Sequence, residues 1–447
     1  YPLGTLAVHA LGYVGRIDEQ ALKALDSSNY RGTSHIGKIG IEKTYESVLH
    51  GKVGLQHVET TAQGRVIRVL DRTPPVSGRN LYLTLDSRVQ AAAEAAFAGF
   101  TGSAIAMDPN NGDILAFVSQ PTYEPNAFVN GIETDDYAAL RDNKKQPLFN
   151  RALRGQYPPG STIKPFVGLA GLEEGITGSH SSTYCPGFYS LSGSTRKYRD
   201  WKRTGHGTVN LNRSIQQSCD VYFYDLALSL GIDRIHDYLQ RFGFGKSSGI
   251  DILGELSGLL PSREWKRARH DQSWFPGETL ITGIGQGFFL VTPIQLAVAT
   301  AALANGGHML QPNIVHAEQE ANSDDLLPHQ PRIKGSITIN EQEHWDHVIE
   351  AMVDVVHSTR GTARKIGEDS PYTIAGKTGT AQVFGLKQEE EYDADAIPEE
   401  LRDHALFVAF APVEAPQIVV AIIVENGGGG GSVAAPIARK ILDAYLV

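Results

Sequence analysis

Strand-forming patterns stand at two places far apart in the chain, and helical patterns fill the space between them. Two apolar runs, at 103–107 and 114–119, flank Asn111-Gly112, a pair that favours the turn of a β-hairpin. Further strands are predicted near the C-terminus, at 372–383, 405–411 and 418–424. Helices are predicted at 161–174, 211–230, 234–242, 293–303, 340–358 and 434–447. One antiparallel sheet closed by both ends of this region, with the helices kept apart from it, predicts an α+β fold.

The beginning of the chain has shorter and more mixed predicted elements than the rest, and this difference predicts a separate module. Short elements alternate there, with helices predicted at 19–25 and 41–49, strands at 53–59 and 65–70, and a Pro- and Gly-containing linker at 73–78. At 447 residues the chain is longer than one ordinary domain. We therefore expect a partial non-catalytic module with its linker over residues 1–75 and a catalytic domain over 76–447.

The charge balance argues against a nucleic-acid-binding protein, and the apolar runs of these residues are too short for a membrane span. The chain has 40 Lys and Arg against 50 Asp and Glu, a formal net charge of −10, whereas nucleic-acid-binding proteins usually present a basic face. No nucleic-acid partner is therefore expected. The apolar runs at 294–304 and 418–424 are too short to span a bilayer. Residues 387–403 contain eight carboxylates against two cations. This segment carries more than half of the net negative charge of the chain. It predicts either a solvated mobile loop or a lid facing a partner or substrate.

The strongest local signal for chemistry is a serine with a lysine one helical turn away. Pro159-Gly160 stops the preceding chain, so that a helix is expected to start at Ser161 and to place Lys164 on the same face. A serine hydroxyl is a weak nucleophile that needs a base within hydrogen-bond reach, and a partly buried lysine can supply one. Because S-x-x-K alone occurs in many surface helices, this motif needs support from elsewhere in the chain.

Two later motifs supply that support. Ser218-Cys219-Asp220 adds a second hydroxyl at a predicted helix junction, where it can relay a proton between base and leaving amine. Lys377-Thr378-Gly379-Thr380 lies on a predicted strand, and Gly379 lets a substrate backbone approach closely. Lys377, Thr378 and Thr380 are expected to receive a carboxylate. The backbone N–H groups of Thr380 and Ser161 are expected to stabilise an oxyanion.

Another motif fails when its context is considered. Residues 245–249 match G-x-S-x-G and contain G-K-S, which resemble a nucleophile elbow and a phosphate-binding loop. Both motifs require a strand before them, whereas a helix is predicted here. We therefore interpret this segment as the loop that follows a helix.

Together the three supported motifs resemble those of the class B penicillin-binding proteins, which are serine D,D-transpeptidases, and especially their cell-elongation branch. The resemblance covers nearly the whole chain and includes residues 37–51, 198–201, 283–287, 377–385 and 401–404. One departure is Asp220, since many relatives have Asn there. Aspartate at this position fits the elongation branch and leaves the protonation around Lys164 open.

The resemblance implies a fold and a reaction. The fold is a five-stranded antiparallel sheet flanked by helices, with an all-helical subdomain and a partial N-terminal pedestal module. Ser161 attacks the penultimate D-Ala carbonyl of a peptidoglycan stem peptide, and an amine of a neighbouring stem takes the acyl group. β-Lactams acylate the same serine. Lys164 is the general base, Ser218 relays the proton, and Asp220 positions that relay. No cofactor is needed for catalysis.

The two cysteines of the chain leave three arrangements open. Cys185 and Cys219 bracket Asp200 and His206, so that two thiols, a carboxylate and an imidazole match a closed four-ligand zinc site, which some members of the branch carry. In that case the metal would brace the Ser218 motif from behind. The second arrangement is a Cys185–Cys219 disulfide in an oxidising periplasm, and the third is a pair of free thiols.

Partners and location are likewise implied by the resemblance. Because about 75 leading residues cannot hold a glycosyltransferase, a RodA-type SEDS glycosyltransferase is expected to make the glycan. An MreC-type activator is expected on the N-terminal module. A single inner-membrane anchor is expected upstream of Tyr1, with this region in the periplasm. Two other functions stay open, a β-lactam-binding sensor that acylates without turnover and a serine β-lactamase.

Overall fold

The computed structural model describes residues 1–30, 32–178, 180–383 and 397–447, and a five-stranded antiparallel sheet lies at its centre. The strands are β1 (Gly102–Met107), β2 (Ile114–Gln120), β3 (Ala375–Ala381), β4 (His404–Ala411) and β5 (Ile418–Val424). They lie in the order β3-β4-β5-β1-β2, so the early hairpin and the last three strands share one sheet. The predicted α+β class is confirmed.

Four helices carry or adjoin the chemically important segments of the chain. They are α1 (Lys164–Glu173), α2 (Asp220–Leu230), α3 (Ile232–Arg241) and α4 (Pro293–Ala304). The other helices after residue 83 are Ser87–Phe97, Asn126–Val129, Thr134–Arg141, Arg151–Arg154, Leu211–Gln216, Arg263–His270, Pro276–Gly283, Gln342–His357, Arg364–Gly367 and Ala435–Leu446. Every residue of β5 is buried, and strand side chains alternate between faces, so both faces of the sheet are covered. Helix α4 and the C-terminal helix both contact β5.

Small antiparallel pairs surround this centre, and the sequence predicted few of them. Ser182–Cys185 pairs with Gly207–Asn210, Phe188–Tyr189 with Tyr198–Arg199, and His308–Leu310 with Ile333–Ser336; Asn80–Leu83, Val315–Gln319 and Leu326–Pro328 form a three-stranded sheet. They are short, and their side chains are mostly not buried, so no alternating apolar pattern marks them.

The single helix predicted over 211–230 was wrong. The structure has two helices, Leu211–Gln216 and α2, separated at Ser218, whose φ is +58°. The apolar spacing continues across the break and hides it from the sequence pattern. The helix predicted at 41–49 is likewise divided, into Gly40–Thr44 and Glu46–Leu49.

The N-terminal residues form short elements that pack on the catalytic region. They are helices Val8–Leu11, Glu19–Ala24, Gly40–Thr44 and Glu46–Leu49, and strand pairs Tyr13–Arg16 with His35–Ile39 and Leu55–Thr60 with Val66–Thr73. Tyr45 donates its hydroxyl to Asp251 at 3.0 Å, and the Ala7 amide donates to Glu94 at 2.8 Å. The boundary near residue 75 stays a prediction. Residues 387–396 of the acidic segment, predicted as a mobile loop or a lid, lie outside the described residues.

His9 is buried in the N-terminal elements and makes the stability of the protein depend on pH. Burial, with a smaller contribution from the charge of Arg151, lowers the pKa of His9 from 6.5 to about 4. Between these values the unfolded chain takes up a proton that the native protein does not, so stability falls as the pH drops from about 6.5 towards 4, by up to about 1.4 kcal/mol per unit. We expect His9→Phe to remove this part of the slope in urea unfolding at pH 5 and pH 7. His57→Phe, on an exposed strand, is the control. An unchanged slope in His9→Phe would contradict the assignment.

Candidate active site

Ser161 lies in a tight turn held against strand β3. Residues Gly160–Ile163 form one 3₁₀ turn that leads directly into α1. Gly160 has φ +52°, and a Cβ at this position would lie 2.6 Å from the carbonyl oxygen of Thr380. Its amide donates to the Gly285 carbonyl at 2.8 Å. Glycine is therefore required both by the backbone conformation and by the close approach of the turn to β3.

Lys164 connects the first two motifs through a buried network. Its Nζ atom donates to the Ser218 carbonyl at 2.9 Å and to Asp220 Oδ1 at 2.8 Å, and it lies 3.3 Å from Ser218 Oγ. The lysine side chain is fully buried. A lysine so held is within proton-transfer distance of the Ser218 hydroxyl, a geometry that general base catalysis would require.

The break between the two helices is what turns Ser218 towards Lys164. A residue other than glycine at φ +58° costs about 1–2 kcal/mol, and such conformations occur most often at functional sites. The chain then re-enters a helix, whose first amides need acceptors. Asp200 supplies one from outside, since its Oδ2 accepts from the amides of Asp220 at 2.8 Å and Val221 at 3.2 Å.

The third motif lies on β3 beside the Ser161 turn. Lys377 is fully buried, and its Nζ donates to the Thr378 carbonyl at 3.0 Å. Burial, and to a lesser extent the nearby charge of Lys164, holds the pKa of Lys377 well below its usual range. Gly379 is packed closely, because a Cβ there would lie 2.8 Å from the Thr162 methyl group. Thr380 is exposed on the same strand. The three motifs thus meet at one place, as the sequence suggested.

Three contacts around the site were not anticipated from the sequence. Thr362 shares a hydroxyl hydrogen bond of 2.7 Å with Thr378. Gln286 donates its amide to the Thr380 carbonyl at 3.0 Å. The backbone amide of Trp201 donates to Asp220 Oδ2 at 3.0 Å. Each joins segments distant in the chain, so no local spacing reveals it.

The four metal-ligand candidates form a buried cluster behind α2. Asp200 lies 3.5 Å from Cys185 Sγ, 3.4 Å from Cys219 Sγ and 3.4 Å from His206 Nδ1. The ligand atoms of all four residues lie within 4.8 Å of one another. Zinc bonds of about 2.0–2.3 Å in a tetrahedron place neighbouring ligand atoms roughly 3.3–3.8 Å apart, so this donor set fits zinc. Cys185 and Cys219 are not joined by a disulfide.

Comparison with known proteins identifies the class. The model of the penicillin-binding protein transpeptidase domain matches residues 102–443, and that of the penicillin-binding protein dimerisation domain matches residues 1–83. The chain belongs to the class B penicillin-binding proteins, the serine-type peptidoglycan D,D-transpeptidases. The sensor and β-lactamase hypotheses are thereby set aside.

Three individual relatives show which members of this family the chain is similar to. The chain is 46% identical to the peptidoglycan D,D-transpeptidase MrdA of Acinetobacter baumannii and 43% identical to that of Escherichia coli. These alignments cover 100% and 99% of the chain but 66% and 70% of the relatives. Penicillin-binding protein 2 of Pseudomonas aeruginosa, solved in complex with WCK 5153, is 49% identical with a TM-score of 0.87, over 100% of this chain and 90% of that one.

A fourth relative was solved with a protein partner. The complex of penicillin-binding protein 2 and MreC from Helicobacter pylori matches with 34% identity and a TM-score of 0.87, over 100% of this chain and 79% of that one. Within the part of the chain that the structure describes, no helix is both long and apolar enough to cross a membrane.

Proposed function

We propose that this chain cross-links peptidoglycan stem peptides during cell elongation, with Ser161 as the nucleophile. The observation that carries the proposal is the buried contact of Lys164 with Ser218 and Asp220, one turn away from Ser161. The hydroxyl attacks the penultimate D-Ala carbonyl and forms an ester, and D-Ala leaves. The amine of a second stem, of the meso-diaminopimelate type, then takes the acyl group and frees Ser161.

Each remaining residue has a distinct part in this reaction. Lys164 removes the proton from Ser161, and Ser218 relays a proton to the leaving amine. Asp220 accepts a hydrogen bond from Lys164 Nζ and would stabilise the ammonium that forms once Lys164 has taken the proton, and it so positions the relay. On β3, the side chains of Lys377, Thr378 and Thr380 bind the terminal carboxylate of the substrate, and the backbone of Gly379 between them lies along the substrate. The amides of Ser161 and Thr380 stabilise the oxyanion.

Labelling with a fluorescent penicillin tests the nucleophile. The purified protein is expected to carry one covalent label, and Ser161→Ala is expected to carry none, because no oxygen remains to form the ester. Thermal unfolding of both proteins shows whether the fold is intact. Ser194→Ala, on a loop away from these motifs, serves as the matched control and should label as the wild type does. Labelling that survives Ser161→Ala would refute the assignment.

We further propose that Cys185, Asp200, His206 and Cys219 hold a structural zinc ion. Four protein ligands leave no open position, so the ion would fix the ligand loop and take no part in the acyl transfer. When bound, zinc would hold the two thiols as thiolates. Asp200 reaches both the cluster and the first amides of α2, so the site would brace the backbone that carries Ser218.

The N-terminal module offers a surface for an MreC-type activator. The hairpin Leu55–Thr60 with Val66–Thr73 is exposed, and it presents Val66, Ile67 and Leu70 to solvent. An exposed apolar hairpin is typical of an interaction site. We propose that it docks this activator, that a RodA-type SEDS partner makes the glycan, and that the protein works in the periplasm on an inner-membrane anchor.

A further inference from the structure

A cavity of about 590 Å³ lies apart from the active site and from the zinc ligand cluster. It is enclosed by the end of α3, the loop 242–248, helix α4 and the strand pair His308–Leu310 with Ile333–Ser336. None of the three catalytic motifs contributes to its lining. Its volume lies within the range of sites that bind small molecules.

One part of the cavity wall is apolar. Phe242, Val298 and Leu310 form its floor, each at least 95% buried, and the half-buried Met309 also lines it and offers accessible apolar surface. The ring of Phe242 is fixed from behind by Phe166 at 4.9 Å and by Trp345 at 6.1 Å. This rigid floor can accept a flat aromatic or branched aliphatic group without rearrangement.

The opposite part of the lining is cationic. Arg241, Lys246 and Lys334 stand there, and among the described residues that line the cavity none carries a carboxylate. The chain as a whole has a net charge of −10, so this local excess of positive charge runs against its composition. A cavity whose charged lining residues, among those described, are all cationic favours a negatively charged ligand.

The loop that carries Lys246 has hydrogen-bond donors that can bind a ligand in the cavity. Gly243 and Gly245 have φ of +85° and +76°, which turns the loop around the cavity. In the described part of the chain, neither the ammonium of Lys246 nor the hydroxyl of Ser247 has a hydrogen-bond or ion-pair partner. Lys334 donates to the Ser248 carbonyl at 3.0 Å, which uses one of its three N–H groups. The G-x-S-x-G segment, which lacks the strand that a nucleophile elbow requires, thus forms part of this cavity.

We propose that this cavity binds an amphipathic anion. Its apolar body would lie on Met309 above the buried floor, and one carboxylate or phosphate group would bind between Lys246, Lys334 and Ser247. The proposal does not depend on the transpeptidase reaction.

Calorimetric titration with 1-naphthyl phosphate tests the site. Binding by the wild type is expected, with inorganic phosphate and 1-naphthol each at least about tenfold weaker, because each lacks one half of the interaction. 1-Naphthoate, titrated in parallel, shows whether a carboxylate replaces the phosphate; tighter binding by either anion supports the proposal. Failure of both anions to bind would overturn it.

Variants locate the binding. The double variant Lys246→Gln with Lys334→Gln should weaken binding about tenfold or more, and Val298→Trp should abolish it by filling the floor. Lys144→Gln, an exposed lysine outside the cavity, should leave binding unchanged. Retained penicillin labelling shows that each variant is folded. Wild-type affinity in both cavity variants would place the ligand elsewhere and overturn the proposal.

Discussion

Replacing Lys164 by Met is expected to lower the rate of penicillin acylation by about 10²–10⁴-fold, the usual contribution of a general base. The side chain is fully buried, and its Nζ contacts Ser218 and Asp220, so no water molecule or neighbouring base can easily replace it. The measurement is the rate of covalent labelling by fluorescent penicillin under single-turnover conditions. Circular dichroism controls for folding, because Asp220 loses its cation.

A matched variant separates charge from proton transfer at this position. Lys164→Arg keeps the positive charge near Asp220 but cannot act as a base, since guanidinium does not lose its proton in proteins. It should therefore lose acylation much as Lys164→Met does. Lys266→Met removes another buried lysine, one paired with Glu278, and should cost stability without slowing acylation. Wild-type acylation by either Lys164 variant would exclude Lys164 as the base.

Removing the proposed zinc is expected to have the second largest effect. A ligand present at 1,000 times its dissociation constant stabilises the native state by about 4 kcal/mol. A chelator should therefore lower the unfolding midpoint of the wild type markedly. Acylation should also slow, because Asp200 holds the amides of Asp220 and Val221 beside the relay serine.

A variant that lacks one proposed zinc ligand is the control for the effect of the chelator. Cys185→Ser should contain no stoichiometric metal, and chelator should not lower its midpoint further. Metal analysis and thiol titration of protein purified without added zinc provide the direct measurement. One zinc per chain is expected in the wild type. Two titratable thiols and no metal would instead show that the cysteines are free and hold no ion.

Periodic and contiguous features were predictable from the sequence. The sheet strands other than β3 are largely apolar runs, and Asn111-Gly112 marks the turn of the hairpin, so the α+β class followed from local chemistry. The elements around 182–210 and 308–336 were missed, because short exposed pairs carry little periodic signal. The helix break at Ser218 was missed because apolar spacing continues through it, although the motif there was recognised as a junction.

The cysteine pair likewise shows what local sequence can predict and what it cannot. The types of the four ligands could be read from the sequence, but several outcomes of two cysteines stayed open. The fold brings the four candidate ligand atoms within 4.8 Å of one another and forms no disulfide between the two cysteines. Distances between residues far apart in the chain depend on packing, which local pattern does not encode.

The candidate nucleophile, base and relay could be named from the sequence alone, because these roles require particular side chains. The sequence also determined the family, through motifs whose order and spacing are specific. Only the tertiary structure decided how these groups meet. Gly160 packs on Thr380, Lys164 reaches Ser218 across more than fifty residues, and the 245–249 loop closes on a cavity. These contacts arise when separate segments exclude water together, and so they belong to the folded chain as a whole.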